Sequence, residues 1–106
     1  MDSVKLLLFR LNFDAGYDRR WQSLNDVIAE IAPRRWDQGT ASFLFHHPNT
    51  VGELLAAVKA RSSIHLDGRD MVMILDLSTH LFAQIGVADP QMLANVMASP
   101  TWRRVA

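Results

Sequence analysis

The sequence has no cysteine and no excess charge of either sign. Its 106 residues include 11 lysine and arginine side chains and 11 aspartate and glutamate side chains. Without cysteine there is no disulfide bond, thiolate nucleophile or cysteine-ligated zinc, and we expect a cytoplasmic protein. Because the formal net charge is zero, the chain as a whole does not attract nucleic acid or an acidic membrane. Any such partner must bind a local patch.

Long apolar runs and glycine-rich loops are also missing. The apolar run at residues 6–9 is interrupted by Arg10. It is too short for a signal-peptide core or a membrane span, so we expect no membrane partner. The five glycines are isolated and lack the lysine and hydroxyl residue of a phosphate-binding loop, and no serine stands in a glycine-flanked nucleophile elbow. We therefore expect no cofactor, and no small-molecule ligand is evident.

A chain of this length forms one domain with a single core. Residues 4–11 are a short apolar run with a charged residue near each end, which predicts a buried strand. Asp18 is a plausible N-cap for an amphipathic helix that ends before Pro33, since the residue ahead of proline avoids the helical conformation. Trp21 lies on the apolar stripe of that helix, and we expect it in the core.

The centre of the chain carries hairpin and helix-capping signals. Residues 34–45 predict two extended pieces joined by a polar turn that contains glycine. Thr50 and Glu53 have the spacing of a capping box, which predicts that a second helix begins there. The uniformly apolar residues 71–77 predict another buried strand, and residues 81–87 predict a strand at the edge of the sheet.

The C-terminal part predicts a third, short helix, with Asp89 as its N-cap and Pro90 at its first position. We expect the tail, residues 100–106, to be loose unless Trp102 is captured. The whole order predicts an α+β fold: a ferredoxin-like βαββαβ antiparallel sheet with two helices on one face, plus a C-terminal strand and short helix. Residues 1–88 are assigned to this ferredoxin-like domain and residues 89–106 to the C-terminal helix and tail.

The strand at residues 4–11, the helix after Asp18, the hairpin with Trp36, the capped second helix and the runs at residues 70–77 and 81–86 together resemble a known family. The chain resembles the SinR-like proteins, small relatives of the CRISPR-associated scaffold subunit that accompanies the spacer integrase. The resemblance covers residues 4–87 and implies a ferredoxin-like homodimer that sometimes acts on or holds nucleic acid.

The resemblance also implies an acidic residue at the end of the first strand, which in some CRISPR-associated members is tied to metal-dependent phosphodiester cleavage. In this chain Arg10 occupies that position, and Asp14 is the nearest acid after it. A guanidinium cannot bind magnesium, which takes oxygen ligands. Asp14 is therefore the one weak candidate for a catalytic residue.

Arginine is prominent, with nine arginines against two lysines. The planar guanidinium matches phosphate oxygens and is favoured, like tryptophan, at interfaces. The candidate nucleic-acid or interface residues are Arg19, Arg20, Arg34, Arg35 and Trp36. In the alternative interpretation, these arginines make ordinary surface ion pairs.

Metal binding is not indicated. His46 and His47 are adjacent in a predicted strand, so their side chains point to opposite faces and cannot easily chelate one ion. Asp14, Asp18, Asp70 and Asp76 could meet at the ends of the sheet as a magnesium site, but such acids are more often helix caps and turn residues.

These observations predict a non-catalytic homodimeric interaction or regulatory protein. It would self-associate through an exposed sheet edge or through its C-terminal strand and helix, with nucleic acid as an optional partner. Two alternatives stay open. One is a metal-dependent nuclease of the CRISPR-associated ferredoxin-like type that uses Asp14 with another sheet-end acid. The other is a small immunity or antitoxin-like protein.

Overall fold

The computed structural model describes residues 2–39, 41–64, 69–98 and 102–105. Six strands and three helices follow one another in these residues. In chain order they are β1 (Ser3–Arg10), α1 (Tyr17–Ile31), β2 (Arg35–Trp36), β3 (Ser42–His47), α2 (Val51–Arg61), β4 (Met71–Asp76), β5 (Leu81–Ile85), α3 (Pro90–Val96) and β6 (Arg103–Arg104).

The strands form one sheet in the order β2-β3-β1-β4-β5-β6. Neighbouring strands are antiparallel except β5 and β6, which are parallel. The predicted ferredoxin-like βαββαβ antiparallel sheet is therefore wrong, because the α+β structure has a mixed six-stranded sheet and three helices. The sequence does not reveal the difference, since β6 is only two arginines long and has no apolar alternation.

Alternation along the strands divides the sheet into two faces. In β1, Lys5, Leu7 and Phe9 are buried, whereas the residues between them are half-buried. The buried set faces α1 and α2, whose apolar stripes complete the core. The core residues contributed by the two helices are Leu24, Val27, Ile28, Val51, Leu54, Leu55 and Val58.

Local capping signals are confirmed for α2 and α3 but not for α1. Thr50 and Glu53 form both hydrogen bonds of the capping box, and Asp89 accepts the N–H of Met92 at the start of α3. The prediction that Asp18 is the N-cap of α1 is wrong, because α1 begins at Tyr17 and Asp18 lies inside its first turn. The prediction that Trp21 lies in the core is also wrong, because its side chain is 40% exposed.

The C-terminal residues 102–105 add a strand to the sheet. Arg103 N–H donates to the His80 carbonyl (2.9 Å) and Val105 N–H donates to the Phe82 carbonyl (2.9 Å), while the Trp102 ring contacts the His80 ring edge-on at 5.3 Å. The prediction that β5 is an edge strand is wrong, because β6 pairs with it. Residues 100, 101 and 106 of the predicted loose tail lie outside the described residues.

Gly86, after β5, permits a close approach of two chain segments. Its φ is +77°, in the left-handed region, and a Cβ at this position would lie 1.9 Å from the Asp70 carbonyl oxygen. Only glycine fits both conditions without strain.

Among the described residues, the longest helix has 15 residues, and no helix is long and apolar enough to cross a membrane.

Candidate functional site

The sheet has a second face, which α1 and α2 leave uncovered. In its centre, Leu6 of β1 lies between Leu44 of β3 and Leu75 of β4, and all three side chains are half-buried. We call this surface the open face. Its apolar residues on the three central strands are Val4, Leu6, Leu8, Leu44, Met71, Met73 and Leu75.

The residues of the open face were not among the sequence-predicted site residues. The sequence does contain a signal for these residues, namely the uninterrupted apolar runs at residues 6–9 and 71–75. A strand with one solvated face would instead alternate apolar and polar residues. These runs indicate apolar side chains on both faces. They do not say what covers the second face.

The third helix borders the open face from the side opposite to α1 and α2. Phe82 of β5 lies opposite Leu75, so its side chain is on the open-face side of the sheet. It is nevertheless buried. A depression over Phe82 is lined by Leu93, Met97 and Trp102. Between α3 and the strands lies a groove of about 330 Å³, which we call the α3 groove. The residues important for its chemistry are Arg10, Met71, Met73, Asp89, Met92 and Val96.

A further apolar depression lies where the open face meets the β2 edge. It is lined by Val4 and Leu44, with Arg34, Trp36 and His46 around them. Trp36 is 54% exposed, and Arg34 and His46 are also exposed. This depression combines an accessible aromatic ring with cationic or protonatable side chains.

The structure does not bring all five predicted arginine and tryptophan candidates together. Arg34, Arg35 and Trp36 line the depression at the β2 edge. Arg35 is half-buried, with its guanidinium 5.9 Å from the centre of the Phe43 ring. Arg19 lies elsewhere, in a polar groove between α1 and α2.

Arg20 points into the protein and joins two acidic residues. Its Nε donates to Asp70 Oδ2 (3.0 Å), its Nη1 to Asp14 Oδ1 (2.8 Å) and its Nη2 to the Asn12 carbonyl (2.6 Å). Hydrogen bonds from Arg20, Asn12 and the Gly16 N–H hold the pKa of Asp14 well below its usual range, and Asp14 raises the pKa of Arg20. Asp14 is thus an ionised, paired carboxylate, a poor proton donor near neutral pH.

Lys5 and Asp76 form a second buried ionic cluster, which sequence reasoning missed. Lys5 Nζ donates to Ser3 Oγ (2.5 Å) and to the His47 carbonyl (2.8 Å), and it lies 3.3 Å from Asp76 Oδ2. Burial alone would raise the pKa of Asp76. Hydrogen bonds from Ser3, from two backbone N–H groups of the following turn and from Lys5 hold that pKa well below its usual range. The cluster joins β4 to β1.

The two adjacent histidines point in opposite directions, as predicted. His46 is exposed on the open-face side opposite Val4, whereas His47 is half-buried near Lys5. Burial, followed by the positive charge of Lys5, lowers the pKa of His47. Its neutral Nδ1 accepts the Asn49 N–H (3.1 Å). Protonation would remove that acceptor.

In the described parts of the chain, no group of three or more histidine, aspartate or glutamate side chains is arranged to hold a metal ion. Comparisons of the chain with protein-family models, curated proteins and solved structures find no match. The resemblance to the SinR-like proteins therefore stays a prediction.

Proposed function

We propose that this protein is a non-catalytic interaction protein that forms a homodimer through the open face of its sheet. The observation that carries the proposal is the row formed by Leu44, Leu6 and Leu75 across three neighbouring strands. Contiguous apolar patches on a protein surface are typical of association sites. A second copy offers the same apolar surface, so a two-fold symmetric contact covers both at once.

The chemistry of the open face favours a protein surface over nucleic acid as its occupant. Its central residues are aliphatic or methionine side chains, which offer neither a flat ring for base stacking nor hydrogen-bonding groups. Aliphatic side chains instead pack closely against others of their kind. The proposal therefore assigns the centre of the sheet to self-association.

Sedimentation equilibrium over a protein concentration series tests the homodimer. We expect the native chain to be dimeric at micromolar concentration and the variants Leu44→Lys and Leu75→Lys to be monomeric, because each places a charge in the apolar contact. Phe13→Lys is the matched control, since Phe13 is 88% exposed in the loop before α1. Circular dichroism checks that each variant folds.

A monomeric native chain at about 100 μM would refute the proposal, because stable symmetric dimers have dissociation constants well below that value. Dimers that persist in both folded lysine variants would refute the open face as the contact.

A second function, binding of single-stranded nucleic acid, is favoured by the exposed ring of Trp36 next to the exposed Arg34. A base can stack on the indole while the guanidinium contacts phosphate. Fluorescence anisotropy with a labelled oligothymidine checks this. We expect affinity that falls steeply with salt and is reduced in Trp36→Ala but not in Trp21→Ala. Equal binding by the two variants, or none by the native chain, would contradict it.

A further inference from the structure

We infer that the α3 groove holds α3 of a second copy of this chain, with Arg10 of each copy facing the partner's Asp89. The inference rests on the proposed homodimer, which it deepens by naming the contact at the border of the open face. The C-terminal helix then has a defined role in self-association.

The helix α3 exposes apolar surface at the groove. All seven residues of α3 are described, and none of them is buried. Met92 is 56% exposed and Val96 is 72% exposed, one turn apart on the same helical face. Isolated helices shorter than about 12 residues are marginal in water. This helix therefore gains stability from any contact that covers Met92 and Val96.

The α3 groove continues the open face. Met71 and Met73 belong to both surfaces, so a partner on the open face also reaches the groove. Methionine side chains are flexible and fill irregular space against an apolar helix. A single contact can thus cover Leu6 and Leu75 in the centre of the sheet and α3 at its border.

Charge complementarity at the groove favours a second copy of the chain over another partner. Among the described residues that line the groove, Arg10 is the exposed cation and Asp89 is the exposed carboxylate. Asp89 Oδ1 accepts the Met92 N–H (3.0 Å), and Arg10 Nη1 makes a long contact of 3.4 Å with the Arg69 carbonyl. In a two-fold symmetric contact, every residue of the patch occurs twice. A groove with one charge of each sign then forms two opposite-charge pairs and leaves no net charge.

A charge-exchange experiment with the full chain tests the contact. In Arg10→Glu alone, two pairs of acids face each other, and in Asp89→Arg alone, two pairs of arginines do. We expect each variant to dimerise at least about tenfold more weakly than the native chain at low salt, because like charges in an interface repel. An equimolar mixture restores both opposite-charge pairs, so we expect a heterodimer of near-native affinity.

Controls separate this effect from damage to the fold. Arg19→Glu and Asp26→Arg make the same charge changes on the exposed surface of α1, and we expect both variants to dimerise normally. Because Asp89 also caps α3, Asp89→Asn provides a variant that keeps a cap acceptor. If Asp89→Arg does not fold, Arg10→Glu mixed with Asp89→Asn is expected to dimerise more tightly than Arg10→Glu alone.

The outcomes distinguish this inference from the proposed homodimer. If Leu44→Lys abolishes dimers while Arg10→Glu and Asp89→Asn have native affinity, the open face is the interface and the α3 contact is wrong. Charge variants that are weak alone and stay weak when mixed also overturn the contact. A monomeric native chain removes both proposals.

Discussion

Replacing Lys5 by methionine removes a buried ammonium group and leaves the Asp76 carboxylate beneath the helices. The Lys5 and Asp76 side chains are 1% and 7% exposed, and Nζ lies 3.3 Å from Oδ2. Methionine has a similar length, so the substitution opens little empty space. The principal effect is a buried carboxylate without its cation.

The expected cost follows from the remaining contacts of Asp76. Breaking a buried ion pair from one side usually costs about 3–5 kcal/mol. Asp76 keeps the hydrogen bond from Ser3 Oγ (2.7 Å) and two from backbone N–H groups (2.9 Å each). We therefore expect the lower end, a loss of about 3 kcal/mol in the free energy of unfolding at pH 7, or about 13 °C in melting temperature.

The stability lost in Lys5→Met should depend on pH in a defined direction. Because the folded-state pKa of Asp76 lies below its ordinary value of 3.8, the native chain keeps this contribution above about pH 4 and loses it as the pH falls further. In Lys5→Met, burial remains but one stabilising contact of the carboxylate is gone, so the pKa is higher than in the native chain. The gap in stability between the two proteins should narrow in acid.

Urea unfolding at about pH 7 and about pH 2.5, at one fixed protein concentration, measures this gap. Lys59→Met is the matched control, because Lys59 is exposed on α2, and we expect it to change stability by less than about 0.5 kcal/mol. A Lys5→Met variant within about 1 kcal/mol of the native chain at pH 7, or a gap that widens in acid, would refute the reasoning.

Two further substitution pairs test local features of the structure. Gly86→Ala should lower stability by at least about 2 kcal/mol, through left-handed strain and the clash with the Asp70 carbonyl. Gly52→Ala in α2 meets only the Thr50 hydroxyl, at an ordinary contact distance of 3.9 Å, and should raise stability slightly. Thermal melts that shift in the same direction for the two variants would contradict this. The lowered pKa of His47 means that the folded chain favours its neutral form, so stability should fall as the pH drops below about 6.5. His47→Gln should flatten this pH dependence and the exposed His46→Gln should not; equal slopes would refute the assignment.

Features that depend on residues close together along the chain could be predicted from the sequence. The capping box joins Thr50 to a partner three residues away, and Asp89 caps the N–H of Met92 at the same separation. The hairpin of β2 and β3 likewise depends on a local turn. In each case the atoms that interact are close along the chain, so spacing alone is informative.

Features that depend on residues far apart along the chain could not be predicted from the sequence. Trp21 has the spacing of a core residue, yet α1 turns Arg20 inward because Asp70, 50 positions away, accepts its Nε–H. The strand β6 forms because two arginines meet the free edge of β5, and neither residue type nor length marks it as a strand.

The sequence by itself determined that strands and amphipathic helices form, and that β1 and β4 carry apolar side chains on both faces. Only the tertiary structure decided that α1 and α2 cover one of those faces and that α3 merely borders the other. Periodicity specifies which side of an element is apolar, but the surface that covers it depends on how segments far apart in the chain pack.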